Sequence, residues 1–318
     1  MKRPKILVVG SFMMDMTVSA PRVPDLGETV TGTKFSTAPG GKGFNQAVQC
    51  ARLGADVTMV GCLGNDTNGE EFIRVANDIG LDIEHVKISD TEHTGVASIQ
   101  LEVKDDSVQN RIIIVPGSNY TLTPEDLSWL EGAISDYDIV MLQLEISMET
   151  NKYVAEVANK AGVKVMLNPA PAAELDSDFL SNVTYLSPNE FEAALLSGHK
   201  IKVDENGADE DDAQEAARKL MELGASKVII TLGENGSLLC DPDKCVRVPS
   251  ILADNVADPT AAGDSFVGAF CTAQAMDMTE EEALEYASYT ACLTVQGLGA
   301  MPSLPDKERV DAFLESKK

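Results

Sequence analysis

Phe44-Asn45-Gln46-Ala47-Val48-Gln49-Cys50-Ala51-Arg52-Leu53-Gly54-Ala55-Asp56-Val57-Thr58-Met59-Val60-Gly61-Cys62 contains the change of hydrophobic period that decides the fold. Phe44, Ala47, Val48 and Ala51 fall at i, i+3, i+4 and i+7, the stripe of an amphipathic helix. Residues 57–62 then make a short apolar run with the length of a strand. A similar run, Ile6-Leu7-Val8-Val9-Gly10, precedes the helix. Further strand-like runs lie at 139–144, 163–167, 183–186 and 227–232, with helical patterns at 149–161, 191–196 and 212–223. Strands and helices in alternation predict a parallel sheet covered on both faces by helices, a three-layer α/β architecture.

Two stretches break this rhythm. Residues 17–36 hold Val18, Val23, Val30, Thr31, Thr33 and Phe35, punctuated by Pro21, Pro24 and Gly27. Residues 94–115 hold Val96, Ser98, Ile99, Leu101 and Val103, a turn signal at Asp105-Asp106-Ser107, and a second run from Arg111 to Val115. Their period of two predicts hairpin strands in a small separate sheet. A sheet so thin is not stable alone, so it must cover the main domain, a ligand or a second subunit.

Composition narrows the function. An apolar content of 44% with 24% charged residues excludes a disordered chain. The longest apolar runs are far short of the roughly 20 residues of a membrane span. Met1-Lys2-Arg3-Pro4 leads straight into the first strand without a signal core or cleavage site, so the expected location is the cytoplasm. With 25 basic and 51 acidic residues the net charge is −26, which repels a nucleic-acid backbone. It repels ATP at long range as well, so a nucleotide site must supply its own positive potential. Six acids between Asp204 and Asp212 read as a solvated loop or helix start. Cys50, Cys62, Cys240, Cys245, Cys271 and Cys292 contain no C-x-x-C pair, and the expectation is reduced, mostly buried thiols.

Five short segments have the chemistry of a site. In Pro39-Gly40-Gly41-Lys42-Gly43-Phe44-Asn45-Gln46, consecutive glycines allow close backbone approach, and the helix that follows offers free N–H donors beside the Lys42 charge. In Asp258-Pro259-Thr260-Ala261-Ala262-Gly263-Asp264-Ser265-Phe266, small residues expose successive N–H groups as an anion cradle. Asp264 there is suited to take a proton from an alcohol. Asn189 and Glu192 place two oxygen donors on one helical face, suited to Mg²⁺ held through water. Thr231-Leu232-Gly233-Glu234-Asn235-Gly236 follows a strand as a nucleotide loop does. Asp15 lies just past the first strand, where open α/β sheets bind ligands. Taken singly, each segment also fits a plain turn, hairpin or helix cap.

Taken together and in order, Gly10-Ser11 with Asp15, Gly40-Gly41-Lys42-Gly43-Phe44-Asn45-Gln46-Ala47, Asn168-Pro169-Ala170-Pro171, Pro188-Asn189-Glu190 with Glu192, Thr231-Leu232-Gly233 with Gly236, and Asp258 with Ala262-Gly263-Asp264-Ser265-Phe266 resemble the ribokinase-like carbohydrate kinases. The block from Gly40 to Ala47, together with Gln143-Leu144-Glu145 and Asn168-Pro169-Ala170-Pro171, resembles the ribose-phosphorylating branch more than the fructokinase or adenosine kinase branches. The resemblance runs from about Ile6 to Phe313. It implies one unit with a large α/β domain (1–16, 37–93 and 116–318) and a β-sheet lid (17–36 and 94–115), the lid serving as a homodimer surface. It implies transfer of the ATP γ-phosphate to a primary sugar hydroxyl, with Mg²⁺ required and K⁺ as activator, and no nucleic-acid or membrane partner. By matching positions, Asp264 is the base for the sugar O5 hydroxyl. Ala261, Ala262 and Gly263 give the anion hole. Asp15, Gly41, Lys42, Asn45 and Glu145 hold the sugar. Asn189, Thr231, Gly233 and Gly236 lie along the nucleotide, and Glu192 orders the magnesium water shell. Asp258, Thr260, Thr294, Gly297, Gly299 and Ser303 match the monovalent-cation loop.

Two positions depart from the pattern. Met13 stands where many relatives carry an Asn that contacts a sugar hydroxyl, and a thioether cannot donate a hydrogen bond. This keeps a 2-deoxyribose kinase as the alternative to a ribose kinase. Pro259 replaces a Thr beside the cation loop and offers only a carbonyl. A sugar-binding regulator without turnover is the third possibility, and the intact Gly263-Asp264 pair speaks against it.

Overall fold

The computed structural model describes residues 3–104, 107–204, 207–253 and 255–317. Its strands are β1 (Lys5–Val9), β2 (Met13–Ala20), β3 (Lys34–Gly40), β4 (Asp56–Val60), β5 (Cys62–Gly64), β6 (Lys87–Ser89), β7 (Gly95–Lys104), β8 (Ser107–Val115), β9 (Ile139–Gln143), β10 (Lys164–Asn168), β11 (Tyr185–Leu186), β12 (Val203–Asp204), β13 (Gly207–Ala208), β14 (Lys227–Thr231), β15 (Ser237–Cys240) and β16 (Cys245–Val248). Eight of them form the main sheet in the order β16-β15-β14-β11-β10-β9-β1-β4. The six from β14 to β4 are parallel, and β15 and β16 fold back antiparallel at one edge.

Alternate residues of the central strands feed two cores, as the pleat requires. Ile6, Val8, Ile139 and Met141 pack on one side with Phe44, Val48, Phe266 and Phe270. Leu7, Val9, Val140 and Leu142 pack on the other with Val154, Ala158, Ala217 and Leu220. The chain is therefore a three-layer α/β sandwich, and strands buried on both faces explain the continuous apolar runs in the sequence.

A second sheet has the order β3-β2-β7-β8. β2 pairs antiparallel with β3 and parallel with β7, and β7 pairs antiparallel with β8. Its strands start at Met13 and end at Gly40, four residues further than the sequence pattern suggests at either side. Asp105 and Asp106, expected in a turn, lie outside the described residues; Ser107 opens β8. Asn119 ties the two sheets together, accepting from Phe12 N–H at 2.9 Å and donating to Phe12 carbonyl at 2.8 Å.

Two expectations need correction. Asp15, expected just past β1 within the large domain (1–16), lies inside β2 of the second sheet, paired with Ala38 and Ala97. The six cysteines are not all reduced: Cys50, Cys62, Cys271 and Cys292 are buried thiols, whereas Cys240 and Cys245 form a disulfide. The reason is hairpin register, which sets Cys240 directly opposite Cys245 across β15 and β16. Of the acidic run, Asp209 caps the helix Glu210–Glu222 and Glu205 lies outside the described residues. Among the described residues no helix is long and apolar enough to cross a membrane.

Candidate active site

The helix Lys42–Arg52 starts on Gly41, whose φ of 91° lies in the left-handed region that favours glycine. A Cβ there would sit 2.8 Å from the Met13 nitrogen, and one on Gly43 would sit 2.4 Å from the Ser11 nitrogen. The glycine block is thus what lets the helix start touch the ends of β1 and β2. Glu145, past the end of β9, closes the corner: its Oε2 accepts from Ser11 Oγ at 2.5 Å and Lys42 N–H at 2.9 Å.

The helix Ala262–Ala275 starts across the cleft. Ala261 has φ 63°, a left-handed conformation uncommon for a residue with a Cβ, and the helix end has no side-chain cap. Ala262 N–H donates to Pro259 carbonyl at 3.2 Å, and a Cβ on Gly263 would meet nothing within 4 Å. Asp264 is only 8% exposed. Its Oδ2 accepts from Asn45 Nδ2 at 3.0 Å and its Oδ1 from Gln46 Nε2 at 3.1 Å. Burial raises its pKa against the opposing pull of Lys42, Asn45 and Gln46, with Glu145 adding to the rise. Burial also lowers the Lys42 ammonium, but Asp264, Glu145 and Glu192 outweigh it and hold the lysine above its ordinary value.

A cavity of about 190 Å³ runs from Lys42 and Asp264 past Ala261, Gly263 and Asn168 to Ser187, Asn189, Glu192 and Thr231. Sequence segments more than 180 residues apart thereby meet in one place. Asn189 is also a helix cap: its Oδ1 accepts from Phe191 and Glu192 N–H groups while the Glu192 carboxylate accepts from Asn189 N–H. Burial raises Glu192, with Asn189 and Lys42 opposing. Gly233 and Gly236 form the hairpin turn from β14 into β15; of this segment Thr231 lines the cavity and the two glycines do not.

Met13 and Asp15 are two apart in β2 and share one face of the second sheet. Met13 is 2% exposed but belongs to neither core cluster, whereas Met14, on the opposite face, packs into one. A Cβ on Gly40 would come within 2.6 Å of the Asp15 carboxylate. Burial, then Glu145 and Asp264, push Asp15 up to about 7.

The last group lies beside the anion cradle. Asp258 Oδ1 accepts from Thr260 N–H at 2.9 Å and hydroxyl at 2.6 Å, and its Oδ2 accepts from Gly299 N–H at 2.9 Å. Gly297 abuts Ser303, and Thr294 Oγ1 is spent on Ser265 and the Thr290 carbonyl. The loop is therefore organised around the Asp258 carboxylate, and the Thr294 carbonyl accepts from Gly297 N–H at 3.0 Å. Gln46, Gln143, Asn168 and Ser11 also build the site. The motif blocks contain all four, but no local pattern distinguishes their roles.

Comparison with known proteins agrees with this geometry. Residues 3–307 match the model of the pfkB family carbohydrate kinases. The chain is 36% identical over 313 residues to a ribokinase of Haemophilus influenzae, covering 98% of this chain and 99% of that protein. It is 33% identical over 310 residues to a deoxyribokinase of Salmonella typhimurium, covering 97% and 98%. The structure of an Arabidopsis thaliana ribokinase complexed with ribose and ATP superposes with a TM-score of 0.89 at 34% identity, covering 99% of both chains. With its fold, its cleft and its motif order in agreement, the chain belongs to the pfkB family of carbohydrate kinases.

Proposed function

We propose that the protein transfers the γ-phosphate of ATP to the O5 hydroxyl of D-ribose. The observation that supports this most is the buried Asp264 carboxylate, held by two amides at an uncapped helix start and facing the cavity that contains Lys42. Asp264 takes the O5 proton as O5 bonds to the γ-phosphorus. The bond from that phosphorus to the β–γ bridging oxygen breaks, and ADP leaves. Gly263 and Ala261 offer N–H groups to the charge that develops on the transferring group, joined by Ala262 once its N–H turns from the Pro259 carbonyl, and preorganised donors of this kind are a large source of rate. Lys42 adds the local positive potential that a −26 protein otherwise lacks. Asp15, Gly41, Asn45 and Glu145 hold the sugar hydroxyls. Asn189, Thr231, Gly233 and Gly236 line the nucleotide.

Among the described residues no three His, Cys, Asp or Glu side chains converge as a metal cage. The Glu192 carboxylate and the rim of the cavity fit a magnesium ion held by phosphate and water. When bound, Mg²⁺ would neutralise phosphate charge. The donor set around Asp258, largely carbonyls from Thr260, Thr294, Gly297, Gly299 and Ser303, fits K⁺. Such an ion would order the loop that leads into the anion cradle, so K⁺ should raise kcat and a large inert cation should not. Val18, Phe35, Ile113 and Val115 on one face of the second sheet and Ile112 and Ile114 on the other are exposed apolar side chains, which supports a homodimer through that sheet.

A second reading, 2-deoxyribose as substrate, is favoured by Met13 on the Asp15 face. The discriminating experiment is kcat/KM with ATP for ribose, 2-deoxyribose, fructose and adenosine in one assay. Ribose should lead, with 2-deoxyribose next. A lead for fructose or adenosine would overturn the proposal.

A further inference from the structure

Resting on the reading of Asp264 as the base, the hydrogen bonds behind it carry a further step. An ionised carboxylate only accepts hydrogen bonds, so Asp264 dictates that Gln46 turn its NH₂ group towards it. Gln46 Oε1 must then face the other way, and it accepts from Gln143 Nε2 at 2.8 Å. Gln46 and Gln143 are both fully buried. Gln143 Oε1 has no partner among the described residues and lies 2.0 Å from where a Cβ on residue 10 would be, so the amide fits only because Gly10 is glycine. Gln46 Nε2 also reaches Asn168 Oδ1 at 3.3 Å, and Asn168 Nδ2 donates to the Ser187 carbonyl at the cavity wall at 2.9 Å.

We infer that Gln46 and Gln143 are positioning residues for the phosphoryl transfer: Gln46 orients the Asp264 carboxylate, and Gln143 fixes which end of the Gln46 amide faces it. Gln143 acts wholly through Gln46. The charged groups facing Asp264 are Lys42, Glu145, Asp15 and Glu192. All of them remain when Gln46 is changed. Loss of the Gln46 donor therefore favours the protonated base, and the acid limb of the kcat profile moves to higher pH.

The test is a double-mutant cycle of Gln46→Met and Gln143→Met, with kcat measured against pH at saturating ATP and ribose and melting temperature in parallel. Gln46→Met should lower kcat at neutral pH by about 10²-fold, the scale of a 1 Å misplacement of a reacting group. Gln143→Met should lower it by about tenfold, and the double variant should be no slower than Gln46→Met, as expected of residues acting in series. The acid limb should move up in all three, with the sugar KM changing far less than kcat. Additive losses, an unmoved acid limb, or a change in melting temperature alone would overturn the inference. If Gln46→Met does not fold, Gln143→Glu decides: its carboxylate turns the Gln46 oxygen towards Asp264, so kcat must fall further than in Gln143→Met, and an equal value rejects the idea. Asp264→Asn is run alongside. If it stays active the base is misassigned; if it is dead while the glutamine variants are normal, only the positioning inference fails.

Discussion

The two walls of the cleft use the same apolar residue types and differ in what covers them. β9, Ile139–Gln143, lies in the main sheet and every residue of it is fully buried. β8 holds three isoleucines to the one of β9, yet Ile112 is 53% and Ile113 64% exposed. The main sheet behind Asp264 is thus shielded from water. The wall with Met13 and Asp15 is a thin sheet whose β8 edge is exposed on both faces. On the proposed function the difference teaches a division of labour, with chemistry anchored on the packed side and sugar selection and assembly on the open side.

Variants on each wall should fail differently. The largest effect is expected from Asp264→Asn, which should lower kcat by about 10³-fold or more while ribose still binds, since general-base catalysis is worth ~10²–10⁴ and the amide keeps the shape. Stopped assays with calorimetric ribose titration separate the two. Next, Leu142→Ala in β9 should cost about 2–5 kcal/mol of stability, as a buried Leu does. Ile113→Asp in β8 should leave the melting transition of the monomer nearly unchanged but halve the mass seen by light scattering.

Met13→Asn tests selection. It should shift the ratio of kcat/KM for ribose to that for 2-deoxyribose towards ribose by about 1–3 kcal/mol, roughly 5- to 150-fold, because a buried Asn is left unpaired by the deoxy sugar. An unchanged ratio means that Met13 does not face the 2-hydroxyl. The smallest effect is pH dependence. Asp15, pushed up to about 7, accepts hydroxyl donors best when ionised. Below pH 7 it takes up a proton that ribose must displace, so the ribose KM should rise by up to tenfold per pH unit as pH falls and stay flat above pH 8. In Asp15→Asn that slope should vanish.

The packed wall was also the legible one. Continuous apolar runs such as 139–144 reveal strands buried on both faces, and small residues followed by Asp264 reveal the cradle. Less could be read where partners are remote. Gln46 meets Gln143 across 97 residues, and nothing near either marks it. Ala261 takes a left-handed conformation without a glycine to signal it. That Asp15 belongs to a strand is hidden because Phe12, Met13 and Met14 mask the alternation of β2, one face of which packs into a core through Met14. Cys240 and Cys245 pair through hairpin register, not through a short spacing motif.

The central claim is phosphoryl transfer to ribose O5 in the Asp264 cleft. Phosphorus–proton correlation NMR of the product formed from ribose, ATP and Mg²⁺ tests it directly. The account predicts one ribose 5-phosphate for each ADP, with the phosphorus coupled to the C5 protons. Inorganic phosphate in place of a sugar phosphate, or coupling to the C1 proton, would contradict it.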